Sequence, residues 1–266
     1  MTWLRRVARN VTNLAAAVTF YEALGFKAIA MAANDSELAA ALEVERAVSL
    51  RLRLGAQELE LTQPMPKGTA YPTGAKSDDV GFQHIAILTW DIATMQGRAL
   101  RAGAMPISHG GPQLLPKASG GVIAWKFRDP DGHPLEFLEM PVSPLKHNGA
   151  LAYGYDHSAI CVTDMARSIR CYEALGLRLQ HRHLNRGAAQ ARLDGLALGM
   201  VEVVAMATPR APPHVELLGY PGTIEVSQFG MPNDIAADRL VFAYTGGRIV
   251  LRHDPDGHVL ILDGRE

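Results

Sequence analysis

His157 heads the segment His157-Ser158-Ala159-Ile160-Cys161-Val162-Thr163-Asp164-Met165, and an earlier copy of that segment, Arg6-Val7-Ala8-Arg9-Asn10-Val11-Thr12-Asn13-Leu14, has arginine in the same place. The copies run on into Cys171-Tyr172-Glu173-Ala174-Leu175-Gly176 and Phe20-Tyr21-Glu22-Ala23-Leu24-Gly25, and one offset of 151 residues (157 − 6, 172 − 21) covers both matches. Imidazole can ligate a metal or move a proton near neutral pH, whereas a guanidinium stays charged and does neither. A second repeat sets Arg128-Asp129-Pro130-Asp131-Gly132-His133-Pro134-Leu135-Glu136-Phe137 against His253-Asp254-Pro255-Asp256-Gly257-His258-Val259-Leu260-Ile261-Leu262. There a carboxylate, Glu136, stands where the other copy has an aliphatic, Ile261. The chain is a duplication, and the slots where the copies disagree indicate which part of each copy has kept a site.

The elements that would position these residues follow from the local pattern. His157–Val162 is short and β-branched, Thr163-Asp164 supplies an N-cap, and Met165, Ile169, Tyr172 and Leu175 follow at helical spacing up to Gly176, a left-handed C-cap. Leu177–Leu184, Gly187–Leu193, Met200–Ala205 and His214–Leu218 are punctuated by Gly, Asn and Pro and read as strands. The repeating unit is therefore βαβββ. One unit covers Trp3–Gln63 and ends in Glu58-Leu59-Glu60-Leu61. The next begins at Phe82-Gln83-His84-Ile85, has a helix over Ile92–Ala102, and ends at Phe137. The third covers Tyr153–Tyr220. The fourth is truncated: 15 residues separate Arg239 from Asp254, where 45 separate His84 from Asp129. The fold class expected is α+β, with tandem βαβββ modules in mixed, curved sheets. Pro64–Asp79 and Val142–Ala152 are the connections, and the second divides the chain into domains at 1–142 and 150–266.

The bulk numbers exclude several classes. A net charge of −1 gives no sign of the concentrated basic face usually needed to bind polyanions, so neither nucleic acid nor an anionic membrane is an expected partner. The start, Met1-Thr2-Trp3-Leu4-Arg5-Arg6, has the look of a twin-arginine signal, but its match to the middle of the chain makes it part of the fold. No run of about 18 apolar residues predicts a spanning helix. Cys161 and Cys171 suggest neither a disulfide nor a thiolate motif, and the expected compartment is the cytoplasm.

With His-(small or apolar)3-Val-x-Asp before a helix ending Tyr-x-x-Leu-Gly, and Asp-Pro-Asp-Gly-His-x-Leu-Glu-Phe in a closing hairpin, the chain resembles the vicinal oxygen chelate superfamily. That group includes glyoxalase I, type I extradiol dioxygenases, and fosfomycin-resistance and bleomycin-binding proteins. The resemblance implies that each module offers one first-strand residue, often His, and one last-strand residue, usually Glu, and that two modules form a cup around one divalent metal. In this chain the slots hold Arg6 and Glu60, His84 and Glu136, His157 and Glu216, and Arg239 and Ile261. Pairing within halves, as in the extradiol dioxygenases, would put an arginine against each cation. Pairing the second module with the third, as in fused glyoxalases, gathers His84, Glu136, His157 and Glu216 in one cup, and leaves Arg6, Glu60, Arg239 and Ile261 in a cup expected to hold no metal.

Two neutral imidazoles and two carboxylates balance a divalent charge and suit Ni, Co, Mn, Fe or Zn better than Mg or Ca. The activity implied is glyoxalase-like isomerase or lyase chemistry on a small oxygenated metabolite bound through two oxygens, with Glu136 or Glu216 as the base. The alternatives are an extradiol ring-cleaving dioxygenase, against which a fourth ligand argues, and a metal-free ligand-binding protein of the resistance type. Asn185, Arg186 and Gln190 are candidate substrate contacts from the third module; Lys117 and Ser119 sit on a Gly-bounded loop that could act as a lid; Tyr155 and Tyr220 are placed at the pocket border. The Asp-Pro-Asp-Gly turns, with His133 and His258, read as structural, because the second copy keeps the turn after losing its Glu. His181 and His183 read as exposed. A four-module chain can complete both cups internally, so a monomer is expected, or a homodimer covering an edge left by the truncated module.

Overall fold

The three full modules each start their helix on a side-chain cap. In the computed structural model, which describes residues 2–142, 149–208, 213–223 and 230–265, Asn13, Asp91 and Asp164 accept from the backbone N–H of Ala16, Thr94 and Arg167 at 3.1, 2.9 and 2.9 Å. Gly25, Gly103 and Gly176 close the same helices at φ +101°, +99° and +94°, a region that favours glycine. Residues 143–148 of the predicted inter-half connection lie outside the described residues.

Module one comprises β1 (Trp3–Asn10), α1 (Leu14–Ala23), β2 (Lys27–Ala28), β3 (Ala33–Asn34), α2 (Ser36–Ala41), β4 (Arg46–Leu54) and β5 (Gln57–Met65). Module two has β6 (Gln83–Thr89), α3 (Ile92–Arg101), β7 (Met105–Pro106), β8 (Gln113–Leu114), β9 (Ile123–Arg128) and β10 (Pro134–Glu139). Module three has β11 (Ala152–Cys161), α4 (Met165–Ala174), β12 (Arg178–Arg186), α5 (Ala188–Asp194), β13 (Met200–Ala207) and β14 (His214–Gly219). The truncated fourth keeps only β15 (Arg239–Ala243), β16 (Ile249–His253) and β17 (Val259–Asp263).

One expected strand is a helix. Gly187–Leu193 was expected to be extended, and α5 occupies Ala188–Asp194 instead. The run Ala188-Ala189-Gln190-Ala191-Arg192-Leu193 consists of strong helix formers, and glycines bracket it, with Gly195 as a left-handed C-cap at φ +66°. Helix propensity outweighed the turn signals that flank it.

Strand order in the eight-stranded sheet is β16-β17-β15-β1-β5-β4-β2, with β3 on β4; in the nine-stranded sheet it is β12-β13-β14-β11-β6-β10-β9-β7, with β8 on β9. Within every module the first strand pairs in parallel with the last, and modules join through antiparallel contacts between first strands, β6 with β11 and β1 with β15. Module two thus shares a sheet with module three, and module one with module four. Each sheet takes strands from both halves of the sequence.

Side chains of alternate parity from both sheets, together with the helices, build one continuous core that includes Tyr21, Ile85, Trp125, Phe127, Phe137, Tyr155, Leu217 and Phe242. The opposite parity of the nine-stranded sheet faces the cup. Among the described residues no helix is long and apolar enough to cross a membrane.

Candidate metal and ligand cup

His84, Glu136, His157 and Glu216 come from four adjacent strands, in the order β10-β6-β11-β14. Their parity is fixed by the core: Ile85, Phe137, Ile160 and Leu217 pack inward, which turns residues of the other parity toward the cup. The register adds room, because Ala159 lies opposite His84 and Ala86 lies opposite both Glu136 and His157. A methyl group beside each ring leaves space in which the side chains can converge.

They do converge. His84 Nε2 lies 3.1 Å from Glu136 Oε2, and His157 Nε2 lies 3.8 Å from the same oxygen and 3.4 Å from Glu216 Oε2. One donor atom each from His84, Glu136 and His157 falls within 4.8 Å of the others. The two imidazoles face each other edge to face, with centroids 5.6 Å apart. His157 Nδ1 is 3.1 Å from Asp156 Oδ2, which leaves Nε2 directed into the cup without a hydrogen-bond partner of ordinary geometry. His214 Nε2 is 3.4 Å from Glu216 Oε1.

Burial and neighbouring charge set the protonation. Burial, with Lys126 nearby, lowers His84 to about 4, so its ring is neutral. For His157 burial works the other way from its neighbours, and Glu216 and Asp156 prevail, raising it to about 9. Glu216 is lowered to about 2, burial being outweighed by His157 and His214. Glu136 is lowered too, against burial, by Lys126 and His84. The cup therefore presents two carboxylates in their ionised form, one neutral imidazole, and one imidazole whose proton is held by carboxylates that a cation would engage. This donor chemistry, with its orphaned buried nitrogen, fits a divalent ion of the transition series.

The cup is a cavity of about 390 Å³. Of the residues singled out in the sequence as substrate contacts, Ser119, Asn185, Gln190 and Tyr220 line it. Lys117 and Arg186 are exposed and stand outside the lining. Tyr155 faces the opposite side of the sheet, where it is buried in the core and donates its hydroxyl to Glu58 O at 2.6 Å. Two-residue alternation from His157 would place Tyr155 in the cup, but a register shift between Tyr155 and His157 reverses the parity. His181 is exposed, as expected from the sequence, whereas His183 is half-buried, and both line the cup.

Four polar residues of the site went unread in the sequence. Lys126 pairs in register with Glu136 across the β9–β10 hairpin; counting outward from the Asp129–Gly132 turn would have found it. Asp194 directly follows the segment expected to be a strand and closes the helix found there. Asp156 and His214, each next to or in register with His157, have no motif that marks them.

In the other sheet the corresponding slots hold a different arrangement. Arg6 Nε donates to Glu60 Oε2 at 2.8 Å and its Nη2 to Asp263 Oδ2 at 2.9 Å. A guanidinium bridges two carboxylates there. Arg239 is fully buried and donates to Asn10 Oδ1 and Thr62 Oγ1 at 2.5 and 3.1 Å.

The family model of the Glyoxalase/Bleomycin resistance protein/Dioxygenase superfamily matches residues 3–137. The chain belongs to that superfamily. Glyoxalase I from Zea mays has the same fold over 100% of this chain and 93% of its own, with a TM-score of 0.66 at 17% identity. A variant of the Zea mays enzyme gives 0.69 at 18% over the same shares of both chains. A putative dioxygenase from Bacillus subtilis covers 97% of this chain and 84% of its own, with a TM-score of 0.58 at 11% identity. No curated protein sequence matches significantly. Superfamily membership explains why two modules build one cup from their first and last strands, and why the modules recur along the chain.

Proposed function

We propose that this superfamily member is a metal-dependent enzyme, in which His84, Glu136, His157 and Glu216 hold one divalent transition ion and a small oxygenated metabolite binds through two adjacent oxygens. The observation that carries this reading is the convergence of His84, Glu136 and His157, with Glu216 3.4 Å from His157, on the wall of one cavity. A divalent ion there supplies Lewis acidity toward the substrate oxygens. His84 sits deepest, with Glu136 and His157 nearly as buried. Glu136 and Glu216 are the candidate bases, and Glu216 has the more open side chain, 18% exposed against 7%. His214 stands beside it to exchange the proton with solvent. A carboxylate that takes a proton from one carbon and returns it to the next performs an isomerase or lyase step of the glyoxalase type.

Elemental analysis of purified protein beside a His84→Ala, His157→Ala double variant tests the site. One transition-metal equivalent per chain, absent from the variant, is the expected result; no metal in the wild type after reconstitution with Ni, Mn, Fe or Zn sinks the reading.

A second reading has one observation in its favour. The tightest group, His84, Glu136 and His157, is a two-histidine, one-carboxylate set of the kind that suits ferrous iron and oxygen chemistry. Oxygen consumption by the ferrous-loaded protein with a catechol would establish ring cleavage and displace the isomerase reading.

A further inference from the structure

Metal ligation does not account for a buried charge in the cup wall. Lys126 is buried on β9, opposite Glu136, and lines the same cavity as His84 and Glu136. Its Nζ donates to Asp194 Oδ1 at 2.7 Å, and Gln190 Nε2 donates to Oδ2 of the same carboxylate at 2.7 Å. Asp194 and Gln190 belong to α5, so this short helix brings a counter-ion and an amide to the wall. Only the amide's NH₂ can face a carboxylate, which fixes Gln190 Oε1 on the other side, buried and without a partner. The Asn185 side-chain oxygen, on the same cavity, is likewise buried and unpartnered.

Such a pair is an expensive way to fill a wall. Removing two charges from water is costly, and apolar residues of similar volume are commonly as stable. A cation facing a divalent ion is also repelled by it unless an anion lies between them. Glu136, in register with Lys126, and Asp194 offset that repulsion in part, and Lys126 still faces the cavity. Asp194 occupies one of the three donor positions of the ammonium.

We propose that a substrate anion takes a remaining donor position of this ammonium: the substrate is a small carboxylate with an adjacent oxygen, a 2-oxo or 2-hydroxy acid, and Lys126 binds its carboxylate. Asp194 is a positioning residue that fixes the ammonium, and the unpartnered oxygens of Gln190 and Asn185 accept from the substrate's hydroxyl or hydrate. This inference rests on the metal-chelating reading above.

The test uses the full chain loaded with Mn(II), with water-proton relaxation reporting displacement of water by oxalate, an anionic two-oxygen chelator, or by hydroxyacetone, a neutral one. Lys126→Met is compared with the double variant Lys126→Met, Asp194→Asn, which leaves no buried charge unpaired and serves where the single variant does not fold. Both should keep the Mn(II) equivalent, lose about tenfold or more in oxalate affinity, and bind hydroxyacetone within about twofold of wild type. Unchanged oxalate binding in a variant that retains Mn(II) overturns the role of Lys126. Equal loss of both ligands also overturns it, since cavity shape rather than charge would then be responsible. A wild type that takes up no Mn(II) shows its failure before oxalate is added, and overturns the chelation reading with this inference.

Discussion

Residue by residue, legibility depended on whether a position has a second copy to be compared with. His157 stood out because Arg6 occupies its slot, and Glu136 because Ile261 does. Lys126 and Asp194 have no contrasting partner that carries a motif, and Tyr155, expected at the pocket border, lies in the core beyond a register shift in β11. His133 shows how a residue read as structural can still titrate. It is fully buried, its Nδ1 is 2.9 Å from Asp238 Oδ1, and its Nε2 donates to Asn10 O at 2.8 Å. Burial lowers its pKa, but Asp238 and Asp129 prevail and raise it above the ordinary histidine value. A raised folded-state pKa means that the stabilisation is fully present below the unfolded value, near 6.5, and fades as pH rises through the folded one. Replacing His133 with Gln should therefore cost about 1–3 kcal/mol at pH 6 and visibly less at pH 9, as measured by urea unfolding at the two pH values. An equal cost at both would show that His133 contributes through packing alone.

At the scale of elements, the two repeats prove to be the two sides of one joint. Asp129 Oδ1 accepts the backbone N–H of Asp131 and His133, closing the turn, while Oδ2 accepts the Tyr21 hydroxyl at 2.9 Å. Asp131 takes the backbone N–H and the hydroxyl of Thr12. The second copy repeats every contact, Asp254 with Asp256, His258 and Tyr172, and Asp256 with Thr163. His133 and His258 then reach Asn10 O and Cys161 O, both at 2.8 Å. The sequence displayed both halves of this joint as recurring motifs, but it offered no sign that they bond to each other. Tyr21 belongs to module one and Asp129 to module two, so the joint ties the two sheets together within each half. Asp129→Ala leaves two turn N–H groups and the proton of the buried Tyr21 hydroxyl without an acceptor and should cost about 2–4 kcal/mol, whereas Asp91→Ala, which removes an exposed helix cap, should cost about 1 kcal/mol. Urea midpoints at equal m-values would rank them, and a reversed order would remove the joint from the structural account.

The molecule as a whole is a crossed assembly of four similar modules, and this is where sequence reasoning divides from structure. Repeats revealed four modules, but periodicity contains no information about which first strands will pair. Only the chemistry of the slots favoured one arrangement, since crossing the halves is what collects two histidines and two glutamates and leaves the arginines to the other sheet, Arg6 on two carboxylates and Arg239 on Asn10 and Thr62. The sheets adopt that crossing through β6 with β11 and β1 with β15. Each half of the sequence consequently owns two long strands whose hydrogen-bonding edges are satisfied by the other half, and the core is continuous across all four modules. Chains 1–142 and 149–266, produced separately, should each lack a cooperative unfolding transition of their own, because unpaired central strands and half a core remain exposed. Mixed at equal concentration they should associate. The decisive readout is metal: His84 and Glu136 lie on one piece and His157 and Glu216 on the other, so the reassembled pair should recover the equivalent bound by the intact chain. Metal held by either piece alone would mean that the four side chains do not act as one site, whatever their arrangement in the intact fold.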